Sequence, residues 1–260
     1  MKNLRKYGKS PYSVAIVHGG PGAAGEMAPV AQELASGYGV LEPLQTASSL
    51  DGQVEELRNV LTSHAETPVT LIGFSWGAWL SYIITARFPE IVKKLILVSS
   101  GSFEERYAVN MNKTRINRLS KKEKTETDSL IDKMNDPAIE DKNDTFARFG
   151  ELCSKADAYD PIKCDQEKFD CSYAIYQAVW KDASELRRSG KLLALGRKIY
   201  CPVIAIHGDF DSHPAEGVQK PLSDVLKNFR FILLTQCGHK PWGERLAKDI
   251  FYNLLKEELE

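Results

Sequence analysis

Val69-Thr-Leu-Ile-Gly73-Phe-Ser75-Trp-Gly77-Ala78 is the stretch whose reading decides the fold. Its first four residues have the apolar, partly β-branched character of a buried strand. Gly-x-Ser-x-Gly follows, and then Trp79, Leu80, Ile83 and Ile84 repeat at helical spacing until Pro89 stops the helix. A serine on so sharp a strand-to-helix turn sits in a strained backbone conformation. Two residues before and two after it the chain passes so close to itself that only glycine, lacking a Cβ, fits. The pentapeptide alone arises by chance in about one chain in ten of this length. The strand before it and the helix after it are what make it specific.

Working outward, further short apolar runs stand at 14–17, 95–98, 203–206 and 231–234, with a weaker one near Val40 and Leu41. Helical stripes separate them, such as Val54, Leu57, Val60 and Leu61. This alternation predicts an α/β fold, a mostly parallel, doubly wound sheet with helices on both faces. Leu246, Ile250, Leu254 and Leu255 predict a C-terminal helix with that stripe facing the core. The alternation fails between residues 102 and 200, where charge-rich segments such as 121–128 surround a few apolar helices, for example 173–180. The expected division is therefore a core built from 1–101 and 201–260, with 102–200 as a helical cap insertion. The charge run reads as a solvated helix face.

A serine hydroxyl becomes a nucleophile when an imidazole takes its proton, and the imidazole needs a carboxylate to orient it. His239 follows the run 231–234 through Thr-Gln-Cys-Gly, which places it at the carboxyl edge of the sheet, where sites in such folds gather. The loop after 203–206 carries two acids, Asp209 and Asp211. Asp211, further from the strand end, is the first choice and Asp209 the alternative. Acyl transfer also needs N–H donors for the developing oxyanion. The N–H of Trp76 at a helix start is one candidate, and the glycine-rich turn 18–22 after the first parallel strand offers another. That turn lacks the spacing of a phosphate-binding loop. His18 reads as holding its own loop, His207 as a strand-end residue and His64 as a helix terminus. His213 sits too close to Asp211 in the chain to be the favoured base. Asp209, Asp211, His213 and His239 lack a helix-spaced ligand pair, so no metal is expected.

Composition narrows the rest. The chain has 260 residues, 43% of them hydrophobic, enough for one core with one elaboration. With 34 basic against 35 acidic side chains the net charge is −1, which excludes a strong field for nucleic acid or anionic lipid and leaves a small-molecule substrate as the expected partner. No apolar run has the length of a signal peptide or a membrane span. Cys153, Cys164, Cys171, Cys201 and Cys237 are odd in number and lack CxxC pairing, so they read as free thiols of a cytoplasmic protein.

Five segments in order resemble the α/β-hydrolases of the proline iminopeptidase type: HGGPG at 18–22, GFSWGA at 73–78, RFPE at 87–90, HGDFD at 207–211 and CGHKPW at 237–242. The likeness covers both flanks of the chain and not its middle. It implies Ser75 as nucleophile, Asp211 as acid, His239 as base, Gly20 and Trp76 as oxyanion donors, a helical cap, and no metal or organic cofactor. Two departures stand out. Leu41-Glu-Pro-Leu-Gln-Thr-Ala-Ser replaces the DQRG-like motif of iminopeptidases, and the short segment before His18 leaves room for fewer leading strands. The expected function is therefore a serine hydrolase of a small ester or amide. Proline iminopeptidase activity is the first alternative, and a non-catalytic small-molecule-binding protein of the same fold the second.

Overall fold

The computed structural model describes residues 3–162 and 170–260. Along the chain run β1 (Leu4–Tyr7), β2 (Tyr12–Val17), β3 (Ala23–Ala24), α1 (Ala28–Leu34), β4 (Gly39–Pro43), α2 (Leu50–His64), β5 (Val69–Phe74), α3 (Trp76–Arg87) and β6 (Val92–Val98). A helical segment follows, with α4 (Glu105–Ala108), α5 (Met111–Arg118), α6 (Lys121–Asn135), α7 (Asn143–Ala156), the short β7 (Asp170–Cys171), α8 (Tyr173–Arg188) and α9 (Lys191–Ala194). The chain closes with β8 (Val203–Gly208), α10 (Glu216–Val225), β9 (Phe229–Leu234) and α11 (Lys248–Leu259).

Seven strands form one sheet in the order β1-β4-β2-β5-β6-β8-β9. β1 is antiparallel to β4, and the remaining neighbours are parallel. β5 and β8 are buried along their whole length, which explains why both read as continuous apolar runs and not as alternation. Successive side chains still go to opposite faces. Ala15, Val17 and Leu71 join α2, α3 and α10 in one core layer, whereas Val14, Ile16, Ile72 and Phe74 meet α1 and α11 in the other. At roughly 1.5–3 kcal/mol per buried aliphatic side chain, these layers supply the main force that fixes the sheet.

Helix ends follow local chemistry. Ser49 caps α2 by accepting the Gly52 N–H at 3.1 Å, and Asp51 sits in its first turn. Ser120 and Glu123 form a reciprocal capping box on α6, whose charged residues are largely solvated. α3 is buried on every side, so its apolar pattern is broader than a single stripe.

The C-terminal helix keeps Leu254 and Leu255 of the expected stripe against the core and corrects its first half. Leu246 and Ile250 are exposed, while Phe251, Tyr252 and Leu255 face the core. Two aromatic rings bury more apolar area than the aliphatic set would, and they set the rotation of the helix. Three short strands, β1, β3 and β7, have no counterpart among the expected runs; two-residue or polar strands carry too little periodicity to be seen. No helix among the described residues is long and apolar enough to cross a membrane. Cys153, Cys201 and Cys237 are free thiols, and Cys164 lies outside the described residues.

Candidate active site

The turn after β5 has the geometry its glycines require. Ser75 has φ 52° and ψ −114°, a left-handed conformation that an L-residue holds only when its surroundings impose it, at a cost of about 1–3 kcal/mol. The Ser75 N–H donates to Val98 O of β6 at 3.0 Å and so anchors the turn to the sheet. A Cβ on Gly73 would come 2.3 Å from Gly77 O, and one on Gly77 would come 2.4 Å from both Val17 O and His18 O. Either substitution forces backbone apart.

Trp76 opens α3, where the first N–H groups have no intrahelical acceptor and point past the helix end. Gly20 lies in the turn after β2, the strand next to β5, with φ 44°. His18 braces that turn: its buried ring donates from Nδ1 to Gly19 O at 2.7 Å and accepts the Gln45 N–H at Nε2 at 3.1 Å. Burial lowers its pKa, so the ring is neutral, as this donor and acceptor pattern requires. On the far side of the turn Gly22 O accepts the Ser172 N–H at 2.8 Å, and β3 pairs with β7. The helical segment is thus clipped directly to the glycine turn.

Asp211 and His239 meet at the carboxyl ends of β8 and β9. His239 Nδ1–H donates to Asp211 Oδ2 at 2.6 Å, because a carboxylate can only accept; Nε2 of the same ring is then left as the basic nitrogen. Burial alone would raise the Asp211 pKa, yet the electrostatic attraction of the ring N–H donors of His239 and His213 and their hydrogen bonds outweigh it and hold the carboxyl well below its usual range. Asp209 does not reach His239; its exposed side chain accepts the Cys237 N–H at 3.2 Å. The His239 ring lies 4.8 Å from that of Phe74, the residue before Ser75. The structure joins Asp211 to His239 directly, whereas the Ser75 hydroxyl makes no hydrogen bond to any described residue; it follows in the chain the Phe74 whose ring touches His239.

The loop carrying His239 is itself held by buried acids. Glu244 accepts the N–H groups of Gly238 at 3.0 Å, Tyr159 at 2.8 Å and Asp160 at 2.7 Å. The His239 N–H donates to Asp157 O at 2.9 Å, and the Asp157 carboxylate takes two donors from Arg115 of α5. Sequence reasoning missed Glu244, Asp157 and Arg115, since nothing in their spacing links them to residues so distant in the chain. It also set His213 aside. His213 bonds Asp211 Oδ1 through both its backbone N–H and its ring Nδ1, each at 2.9 Å. Asp-x-His spacing, in which an aspartate bonds the backbone two residues on, was the available signal. Ligand-type atoms of Asp211, His213 and His239 lie within 4.8 Å of one another, but both ring nitrogens bond the carboxylate, so the cluster reads as a hydrogen-bond network. Two surface depressions, one lined by Lys121, Lys122 and Glu126 and one by Lys181, Asp182 and Arg188, do not reach these residues.

The family model described as the alpha/beta hydrolase fold matches residues 12–241. No curated protein matches the chain. Among solved structures, a serine hydrolase from the polyaromatic-hydrocarbon-degrading bacterium Cycloclasticus zankles is similar at 20% identity and TM-score 0.64, over 98% of this chain and 93% of that one. A meta-cleavage product hydrolase from Pseudomonas fluorescens IP01 aligns at 16% identity and TM-score 0.64, over 98% and 93% of the two chains. A thermophilic esterase from Thermogutta terrifontis aligns at 16% identity and TM-score 0.62, over 98% and 92%. At these identities the likeness is one of fold.

Proposed function

The chain belongs to the α/β-hydrolase fold family, and from that premise we propose that it is a serine hydrolase that cleaves a small ester or amide through an acyl-enzyme on Ser75. The observation that carries this reading is the 2.6 Å bond from His239 Nδ1–H to the buried Asp211 carboxylate, in a chain that also holds Ser75 at positive φ on the turn after β5. His239 Nε2 takes the Ser75 proton as Oγ attacks the acyl carbonyl, and the ionised Asp211 stabilises the imidazolium that results. The N–H groups of Gly20 and Trp76 receive the developing oxyanion. His239 then protonates the leaving group, and water reverses the sequence to release the acid. Residues 102–200 act as a cap over 1–101 and 201–260.

An ester is the favoured substrate over a free N-terminal amine. A covered amine-binding site needs a carboxylate to spare, because an unpaired buried charge is costly. Glu104, Glu105, Glu151 and Glu185 of the helical segment are each paired with an arginine, respectively Arg106, Arg187, Arg148 and Arg188. The buried Asp157 is paired with Arg115. The free thiols and near-zero net charge suit a small-molecule enzyme of the cytoplasm with no metal or organic cofactor. The test is fluorophosphonate labelling followed by a panel of short-acyl p-nitrophenyl esters and prolyl-β-naphthylamide. Labelling lost in Ser75→Ala, with turnover of at least one ester, is the expected result. No labelling of the native protein would favour a non-catalytic binding protein, and cleavage of the prolyl amide alone would favour an iminopeptidase.

A further inference from the structure

We infer that His213 is a positioning residue of this site: its ring Nδ1–H bond to Asp211 Oδ1, at 2.9 Å, fixes the carboxylate so that Oδ2 stays aimed at His239. The inference rests on the serine-hydrolase reading and adds a residue to it.

A carboxylate turns about a broad, nearly two-fold torsion, so one hydrogen bond does not set its plane. Asp211 is gripped on both oxygens. Oδ2 receives His239, and Oδ1 receives the backbone N–H and the ring of His213, with the side chain wholly buried. His213 is in turn held from behind, because its carbonyl accepts from His207 Nε2 at 2.8 Å. Its ring also stacks on that of His239, with centroids 4.7 Å apart and planes 20° from parallel. One side chain thus touches both members of the Asp211–His239 pair.

The residue type matters as much as the contact. Burial pushes the His213 imidazole down to about 4, so near neutral pH it offers a single N–H to the ionised Asp211 and carries no charge. A permanent cation stacked at that distance would oppose the imidazolium that forms on His239 as Ser75 loses its proton. A neutral donor orients the acid without that penalty.

Two substitutions in the full chain separate the bond from the ring. His213→Phe keeps an aromatic ring against His239 and removes the donor. His213→Asn removes the ring and keeps an N–H near the Nδ1 position. With a p-nitrophenyl ester, His213→Phe is expected to lower kcat about tenfold with KM within about threefold of the native value, since the backbone N–H to Oδ1 remains. The rate of fluorophosphonate labelling should fall in step, and His213→Asn should recover most of both. A kcat for His213→Phe within about twofold of native, or equal losses in the two variants, overturns the inference. If His213→Phe does not fold, the smaller donorless His213→Leu is read by the same criteria. Ser75→Ala is measured alongside. Native turnover in that variant brings down the serine-hydrolase reading itself, whereas loss there with an unaffected His213→Phe brings down only the role of His213.

Discussion

The loops at the carboxyl edge of the sheet and the helical segment between β6 and β8 are built on opposite terms. In the loops nearly every position is constrained by contact: Gly73 and Gly77 by backbone at 2.3–2.4 Å, Ser75 by its positive φ, and Asp211 by donors on both oxygens. In the helical segment most side chains are partly or fully exposed, and acids are matched to arginines at the surface. The segment meets the core through an apolar face, with Phe103, Val179, Ala183 and Leu192 in the cluster of Trp79 and Leu80, and through specific bonds at its edges. Ser172 bonds Gly22, Arg115 and Asp157 hold the loop of His239, and Trp180 stacks on Trp79 at 5.7 Å. The contrast teaches that the loops are fixed by close polar and backbone contacts, while the helical segment is fixed mainly by the apolar face it turns to the core and leaves its charged face to solvent.

That contrast can be broken first at its strongest point. Ser75→Ala and Asp211→Asn should each lower kcat/KM by about 10⁴-fold, whereas Asp209→Asn, on the same loop and exposed, should stay near native. Thermal melting should show that Ser75→Ala is still folded, because it removes a hydroxyl that bonds no described residue and leaves the backbone unchanged. Comparable losses from Asp209→Asn would mean that burial and contact do not rank these loop residues.

The next test asks whether the docking contacts are exempt from the tolerance of the segment around them. Arg115→Ala strands the Asp157 carboxylate, whose side chain is 2% exposed, without its partner. Breaking such a buried pair costs about 3–5 kcal/mol, measurable as a shifted urea midpoint, and activity should fall too because Asp157 O holds the His239 backbone.

Acid should weaken the loops before the helical surface. Burial lowers the pKa of His18, of His207, and of His213 to about 4, while the same groups titrate near 6.5 when unfolded. Between pH 6.5 and about 4 the unfolded chain therefore binds protons that the native chain refuses, so stability is constant above that window and falls as pH drops through it. Melting temperature recorded from pH 8 to 4 checks the sign; a rise on acidification would mean these rings are charged in the fold. The smallest effect belongs to the surface pairs. Arg148 bonds both Glu126 and Glu151 with all three largely solvated, and Arg148→Ala should leave melting temperature and kcat near native.

Much of this division was legible beforehand. The elbow at Gly73–Ser75–Gly77 is a local steric fact, since a strand turning into a helix within five residues leaves no room for a Cβ, and the residues themselves announce it. The parallel sheet was legible because strands buried on both faces need continuous apolar runs, as β5 and β8 have. His18 could be assigned to its own loop because its bond to Gly19 is local. By contrast, the stripe on α11 was legible only in its second half: Leu254 and Leu255 meet the core, but Ile250 is exposed and Phe251 buried, because aliphatic spacing alone ignores which side chain brings the larger area to the core.

What the sequence determined by itself is whatever a residue's near neighbours in the chain enforce: the strained serine, the glycines that permit it, and the order of serine, acid and histidine. Only the tertiary structure decided that Asp211 and not Asp209 meets His239, and that Arg115 and Asp157 reach from the helical segment to the histidine loop. Those contacts join residues tens of positions apart, and their energy depends on distances set by the packing of the whole sheet and not on any local spacing.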